Sequence, residues 1–272
     1  MFDFVGYAKK TKSMQKNNYC THCGAMTASL GNMAICSRCE AIAQQAPIKS
    51  EATELLKSKL DDIRASINSH QYDKAIAGYE ELFTSTKDPL YLYVEALAYI
   101  EHSNDEIAMV DYNKPGFMEE NSLHKANSIA LFSKAKELLA KSSSMLLADM
   151  KNGVSTQNLY HFFLVNMKFG DTAAVNSASE AIGKSADKYM HTYTLMRLSI
   201  SKGNYEKALI QSESLLKANW QPVVVLYYVA YALFKRRDFD KAYEILKYIE
   251  PQIESGRASA LLREIEKARQ LL

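Results

Sequence analysis

Tyr205-Glu206-Lys207-Ala208 recurs 34 residues later as Phe239-Asp240-Lys241-Ala242, and a third copy, Tyr72-Asp73-Lys74-Ala75, stands 133 residues before the first. The longer interval is about four repeats of 33 residues. Two fainter copies fall inside it, since Ala108 sits 33 residues after Ala75 and Gly170 sits 33 before Gly203. A proline follows each clear copy, at Pro89, Pro222 and Pro251. After two of these prolines come similar apolar runs, Leu92-Tyr93-Val94-Glu95-Ala96-Leu97-Ala98-Tyr99 and Leu226-Tyr227-Tyr228-Val229-Ala230-Tyr231-Ala232-Leu233. A period of this length is the signature of one pair of helices per repeat, each pair burying its apolar face against the next. The fold class expected is therefore mainly α.

The matching positions are a small residue on the first helix (Ala96, Ala230), a glycine between the helices (Gly170, Gly203), an aromatic (Tyr72, Tyr205, Phe239) and the alanine of the second helix. In these positions and in its period the chain resembles the tetratricopeptide repeat family. The resemblance covers about residues 55–270 and implies a right-handed superhelix, a solenoid of five to six helical hairpins. Two departures stand out. The family's tryptophan is missing, because the sole Trp220 falls between repeats. The phase also blurs between Asp111 and Asn152, where Asn113-Lys114-Pro115-Gly116 inserts a loop and a long helix is expected to follow.

Such arrays line a concave face with their first helices, and in the family that face holds a peptide or helix of a partner protein. Aligning the copies puts Tyr93, Tyr160, Tyr193 and Tyr227 at one place on successive first helices, with Tyr231 a turn further on. A tyrosine ladder offers apolar area plus a hydroxyl at low entropy cost, which suits peptide recognition. The competing reading is packing between helices, or a groove covered by the chain's own N-terminal arm.

Ahead of the repeats, all four cysteines follow Cys20-x2-Cys23-x12-Cys36-x2-Cys39. Each Cys-x-x-Cys can present two thiolates to one metal, and two such knuckles close a tetrahedral site. Met26–Leu30 and Met33–Ile35 flank Gly31-Asn32, a dipeptide suited to a tight hairpin turn. This stretch looks like a zinc ribbon, a small β-hairpin module holding one structural zinc ion. Paired redox cysteines lack a surrounding βαβ pattern, and a rubredoxin-like iron site lacks its aromatic core, with only Tyr19 at hand. His22 is expected to face solvent.

The domain reading is a basic, aromatic arm over 1–18, the ribbon over 19–40, a linker over 41–50 and the helical array over 51–272. Ser50 is the expected N-cap of the first long helix. Composition agrees: of 272 residues 47% are apolar, and only ten glycines and five prolines occur, few for a turn-rich β fold. No run approaches the roughly 18 apolar residues of a membrane span, and Lys9 and Lys10 come too early for a secretory leader. A cytoplasmic protein is expected. A net charge of +2 gives no prior for nucleic acid. A ribosome- or nucleic-acid-associated factor remains the alternative, using Lys9, Lys10, Lys12 and Lys16 of the arm and Arg38 of the ribbon. The six histidines are scattered in sequence and no phosphate-binding or metalloprotease motif occurs, so no enzyme is expected. Lys114-Pro115-Gly116-Phe117-Met118 reads as a tolerated insertion, and Lys235-Arg236-Arg237 as a solvated corner.

Overall fold

The repeat motif starts helices. In the computed structural model α3 (Tyr72–Thr86), α9 (Tyr205–Lys217) and α11 (Phe239–Ile249) each open on the aromatic of a copy. The motif alanines Ala75, Ala208 and Ala242 are buried, as are the small residues Ala96 and Ala230. Pro89 and Pro222 occupy the first turns of α4 (Pro89–Ala108) and α10 (Pro222–Lys235), where a missing N–H costs nothing. Pro251 behaves differently, lying in a short 3-10 turn, Glu250–Gln252.

The structure describes residues 2–11, 18–23, 25–27, 34–36, 38–43, 51–110, 117–152, 155–185, 187–253 and 256–270. The remaining helices are α1 (Phe4–Lys10), α2 (Glu51–Asn68), α5 (Phe117–Asn152), α6 (Thr156–Phe169), α7 (Thr172–Gly183), α8 (Lys188–Ser201) and α12 (Gly256–Gln270). Four two-residue strands lie between α1 and α2: β1 (Asn18–Tyr19), β2 (Met26–Thr27), β3 (Ala34–Ile35) and β4 (Ile42–Ala43). The protein is mainly helical. Among the described residues no helix is long and apolar enough to cross a membrane.

The turns carry the clearest sign of repetition. His70, Gly170, Gly203 and Arg237 hold equivalent places, and all four have positive φ, between +59° and +90°. At each, the next residue's N–H reaches back to the helix it leaves: Gln71 to Ser66 O, Asp171 to Asn166 O, Asn204 to Ser199 O and Asp238 to Leu233 O, at 2.8–3.2 Å. This is the left-handed helix stop that satisfies the last carbonyls and turns the chain. Glycine suits two of the four because of backbone conformation, not crowding; a Cβ at Gly170 or Gly203 would meet nothing within 4 Å.

Contacts divide the chain into two compact units. A middle unit holds Thr21–Gly24 and Ile48–Asn176, in which α2 packs on α3, α3 on α4, α4 on α5 and α5 on α6. Gly78 of α3 lies so close to Ile63 of α2 that an added Cβ would clash at 2.6 Å. A terminal unit holds Met1–Cys20, Ala25–Pro47 and Ser177–Leu272, in which α8 through α12 pack in sequence order.

The structure details the N-terminal arm and corrects two expectations. Phe4–Lys10 of the arm form a helix: α1 packs on α11 and α10, Tyr7 Oη donates to Asn219 Oδ1 at 3.0 Å, and Lys9 lies over the Tyr248 ring. Phe2 meets Phe4 edge-on and lies tilted against Tyr7, an apolar cluster that favours this docking. The hairpin expected about Gly31-Asn32 is also not what the described strands form. Instead β2 pairs with β1, and β3 with β4, each ladder closing over a Cys-x-x-Cys. Ala41–Ala43 therefore belongs to the ribbon and not to a linker. Gly31, Asn32, Ser50 and the insertion at 113–116 lie outside the described residues; α5 begins at Phe117.

Candidate metal centre

The two knuckles share one frame. Cys20 N–H donates to Ala25 O, and Cys36 N–H to Ala41 O, both at 2.9 Å. Each bond spans Cys-x-x-Cys-x-Ala, with antiparallel partners on either side: Tyr19 opposite Met26, and Ile35 opposite Ile42. The repeat of 16 residues between Tyr19-Cys20-x2-Cys23-Gly24-Ala25-Met26 and Ile35-Cys36-x2-Cys39-Glu40-Ala41-Ile42 is legible in the sequence. It was the signal for these two ladders.

Cys20, Cys23, Cys36 and Cys39 are buried, and their Sγ atoms lie within 4.8 Å of one another. Cys20 Sγ and Cys39 Sγ are 3.7 Å apart. A disulfide needs about 2.05 Å. Four sulfurs at about 2.3 Å from a central zinc ion stand about 3.8 Å from one another. The donor set therefore fits a tetrahedral metal ion. The Arg38 N–H, 3.4 Å from Cys36 Sγ, adds a hydrogen bond of the kind that steadies a thiolate. Among the described residues this is the one group of three or more His, Cys, Asp or Glu side chains close enough to share an ion.

Compared with family models, curated proteins and solved structures, the chain matches none.

What surrounds the cysteines could not be read from their spacing. Within the middle unit, Tyr91 Oη donates to Thr21 O at 2.8 Å. His22 Nε2 lies 3.2 Å from Asp88 Oδ2, and the His22 ring packs edge-on toward His161. His22 is thus buried, against expectation, because α4 and α6 supply a polar wall for it. His161 is buried too, and burial together with the neighbouring His22 pushes it down to about 3, so it stays neutral. Asp88 does two jobs, since its other carboxylate oxygen caps α4 at Leu90 N–H, 2.9 Å away.

Within the terminal unit, Glu40 follows Cys39 in a left-handed conformation with φ +63°. Its carboxylate is buried at 2% residue exposure and pairs with Arg197 Nη1 of α8 at 2.5 Å. Arg197 also donates to Tyr193 Oη at 3.3 Å and lies over the Tyr228 ring, 4.3 Å from its centroid. Ile35 N–H reaches Gln221 Oε1 at 3.4 Å, a second tie to the start of α10.

The tyrosine ladder must be corrected accordingly. Tyr93, Tyr160 and Tyr193 are fully buried, each at 0% exposure, and cannot present a surface to a partner. They are packing positions. Tyr193 touches Trp220, Tyr228 and Arg197. Tyr227 and Tyr231 are half-buried, with Lys235 over the Tyr231 ring. Of the basic residues, Lys9 approaches Glu244 at 4.0 Å, Lys10 is exposed, and Arg38 is half-buried. Lys12 and Lys16 lie outside the described residues.

The histidines are less scattered in space than in sequence. Around the end of α4, His70 Nδ1 is 2.5 Å from Asp105 and His124 Nδ1 2.8 Å from Glu106. His102 stacks on Tyr72, which donates to the same Asp105. These pairs tie the α2–α3 turn, α4 and α5 together at one end.

Proposed function

We propose that this chain is a non-enzymatic adaptor, a tetratricopeptide-like array that holds a peptide or helix of a partner protein and carries one structural zinc ion. Four thiolates leave no coordination position for a substrate or water, and thiolate sulfur favours zinc among the common divalent ions. The zinc would fold a segment too short to bury a core of its own. Reduced thiols of this kind suit the cytoplasm.

The observation that supports the adaptor reading is an open groove in the terminal unit. It measures about 780 Å³ and is lined by Phe4 and Val5 of α1, Leu209 and Ile210 of α9, and Leu233 of α10. Ile210 is 64% exposed. Concave apolar surface with exposed aliphatic side chains is the kind that takes the apolar face of a helix. Charged Glu206, Glu213, Arg236 and Lys241 stand at its edge. The partner surface thus moves from the buried tyrosines to the groove beside α1.

Affinity capture with wild type, Ile210→Glu and Ile129→Glu tests this reading. Ile129 of α5 is as exposed as Ile210 but lies in the other unit. Proteins retained by wild type and by Ile129→Glu should be lost with Ile210→Glu. The same retained set with all three baits would end the reading.

A further inference from the structure

We propose that metal occupancy of the four-cysteine site is coupled to the helices of the terminal unit through the buried pair Glu40–Arg197. The inference goes beyond the adaptor reading and does not depend on it.

Glu40 occupies a place that chemistry would normally give to another residue. Its φ of +63° is a conformation that costs a side-chain-bearing residue about 1 kcal/mol or more. The first knuckle has Gly24 at the matching place in sequence. A carboxylate buried there would cost several kcal/mol more if unpaired. Arg197 offsets part of both costs. Arg197 supplies the counter-charge at 2.5 Å, with its guanidinium held between Tyr193 Oη and the Tyr228 ring.

The pairing depends on the knuckle keeping its shape. Glu40 N–H donates to Cys36 O, and Cys36 N–H donates to Ala41 O, each at 2.9 Å. Those bonds aim the Glu40 side chain at α8. A metal ion would tie the four sulfurs, which lie within 4.8 Å of one another, to a single centre. Without that tie the knuckle relaxes, Glu40 leaves Arg197, and the guanidinium loses the carboxylate it faces in the structure. Coupling of this kind is reciprocal, so the ion pair also tightens metal binding.

The molecule carries its own reporter. Trp220 is the only tryptophan in the chain, and its ring lies 5.3 Å from Tyr193. The experiment measures zinc affinity by competition with a chromophoric chelator, and Trp220 emission with and without zinc, in wild type, Glu40→Gly and Arg197→Met. Glu40→Gly removes the carboxylate and relieves the backbone together, while Arg197→Met removes the counter-charge, so the two variants break the pair from opposite sides. Expected is a roughly 10–100-fold loss of zinc affinity in both variants, the range for residues that support ligands without touching the ion. Trp220 emission should change on zinc removal in wild type but not in Glu40→Gly. Wild-type affinity in Glu40→Gly, or identical Trp220 emission from zinc-loaded and stripped wild type, would overturn the proposal.

Discussion

The two knuckles have the same backbone frame and opposite anchoring chemistry. The first meets its helices through Thr21 O and the His22–Asp88 hydrogen bond, whose side chains are 4% and 36% exposed. The second meets its helices through Glu40 and Arg197, whose side chains are 3% and 8% exposed. Water can reach Asp88 when its hydrogen bond is lost, so that contact contributes modestly. A buried ion pair contributes little beyond an apolar substitute, yet losing one member is severe. The comparison teaches that one frame can hold a tolerant contact and an exacting one, and that the exacting one sits on a strained residue.

The largest effect should come from the frame itself. Cys36→Ser should cut zinc from about one ion per chain to a small fraction and lower stability by several kcal/mol, measured by metal analysis and thermal unfolding. Both anchors should fail together. Next is Arg197→Met, which removes the counter-charge beside buried Glu40 and should cost about 3–5 kcal/mol in denaturant unfolding. Adding Glu40→Gly to it should restore most of that loss, because no charge is then stranded.

Glu95 of α4 sharpens the point, as a buried carboxylate without such a partner. Burial, with Glu80 nearby, raises it from 4.5 to about 7. Its folded state holds a proton that the unfolded state gives up, so its stability contribution is present below pH 4.5 and is lost as pH rises through about 7. Glu95→Gln should therefore match wild type near pH 5 and exceed it at pH 8 by about 1–3 kcal/mol. Equal slopes of stability against pH for the two proteins would refute this. Smallest is the first anchor: His22→Ala should cost about 1 kcal/mol and leave zinc content unchanged.

Much of this was legible in the residues. The period, the helix-opening aromatics and the buried alanines follow from Tyr72, Tyr205, Phe239 and their neighbours, since periodic apolar spacing is a local record of packing. The four ligands were legible because metal geometry constrains their spacing. Which face of a helix stays open was not. Tyr93 and Tyr227 look alike in an alignment, yet one is fully buried and the other half-buried, because burial depends on tertiary neighbours that local spacing does not record. Arg197 is separated from Glu40 by 157 residues and carries no motif. Only the substitution of Glu40 for the glycine of the first knuckle hinted that its side chain had work to do.

Hydrogen exchange of the α8 and α10 amides, compared between zinc-loaded and zinc-stripped protein, is the most direct probe of the link between metal and helices. Protection around Arg197 and Tyr228 should fall when zinc is removed, while α11 and α12 keep theirs. Unchanged protection in α8 and α10 would mean that the metal holds the ribbon alone.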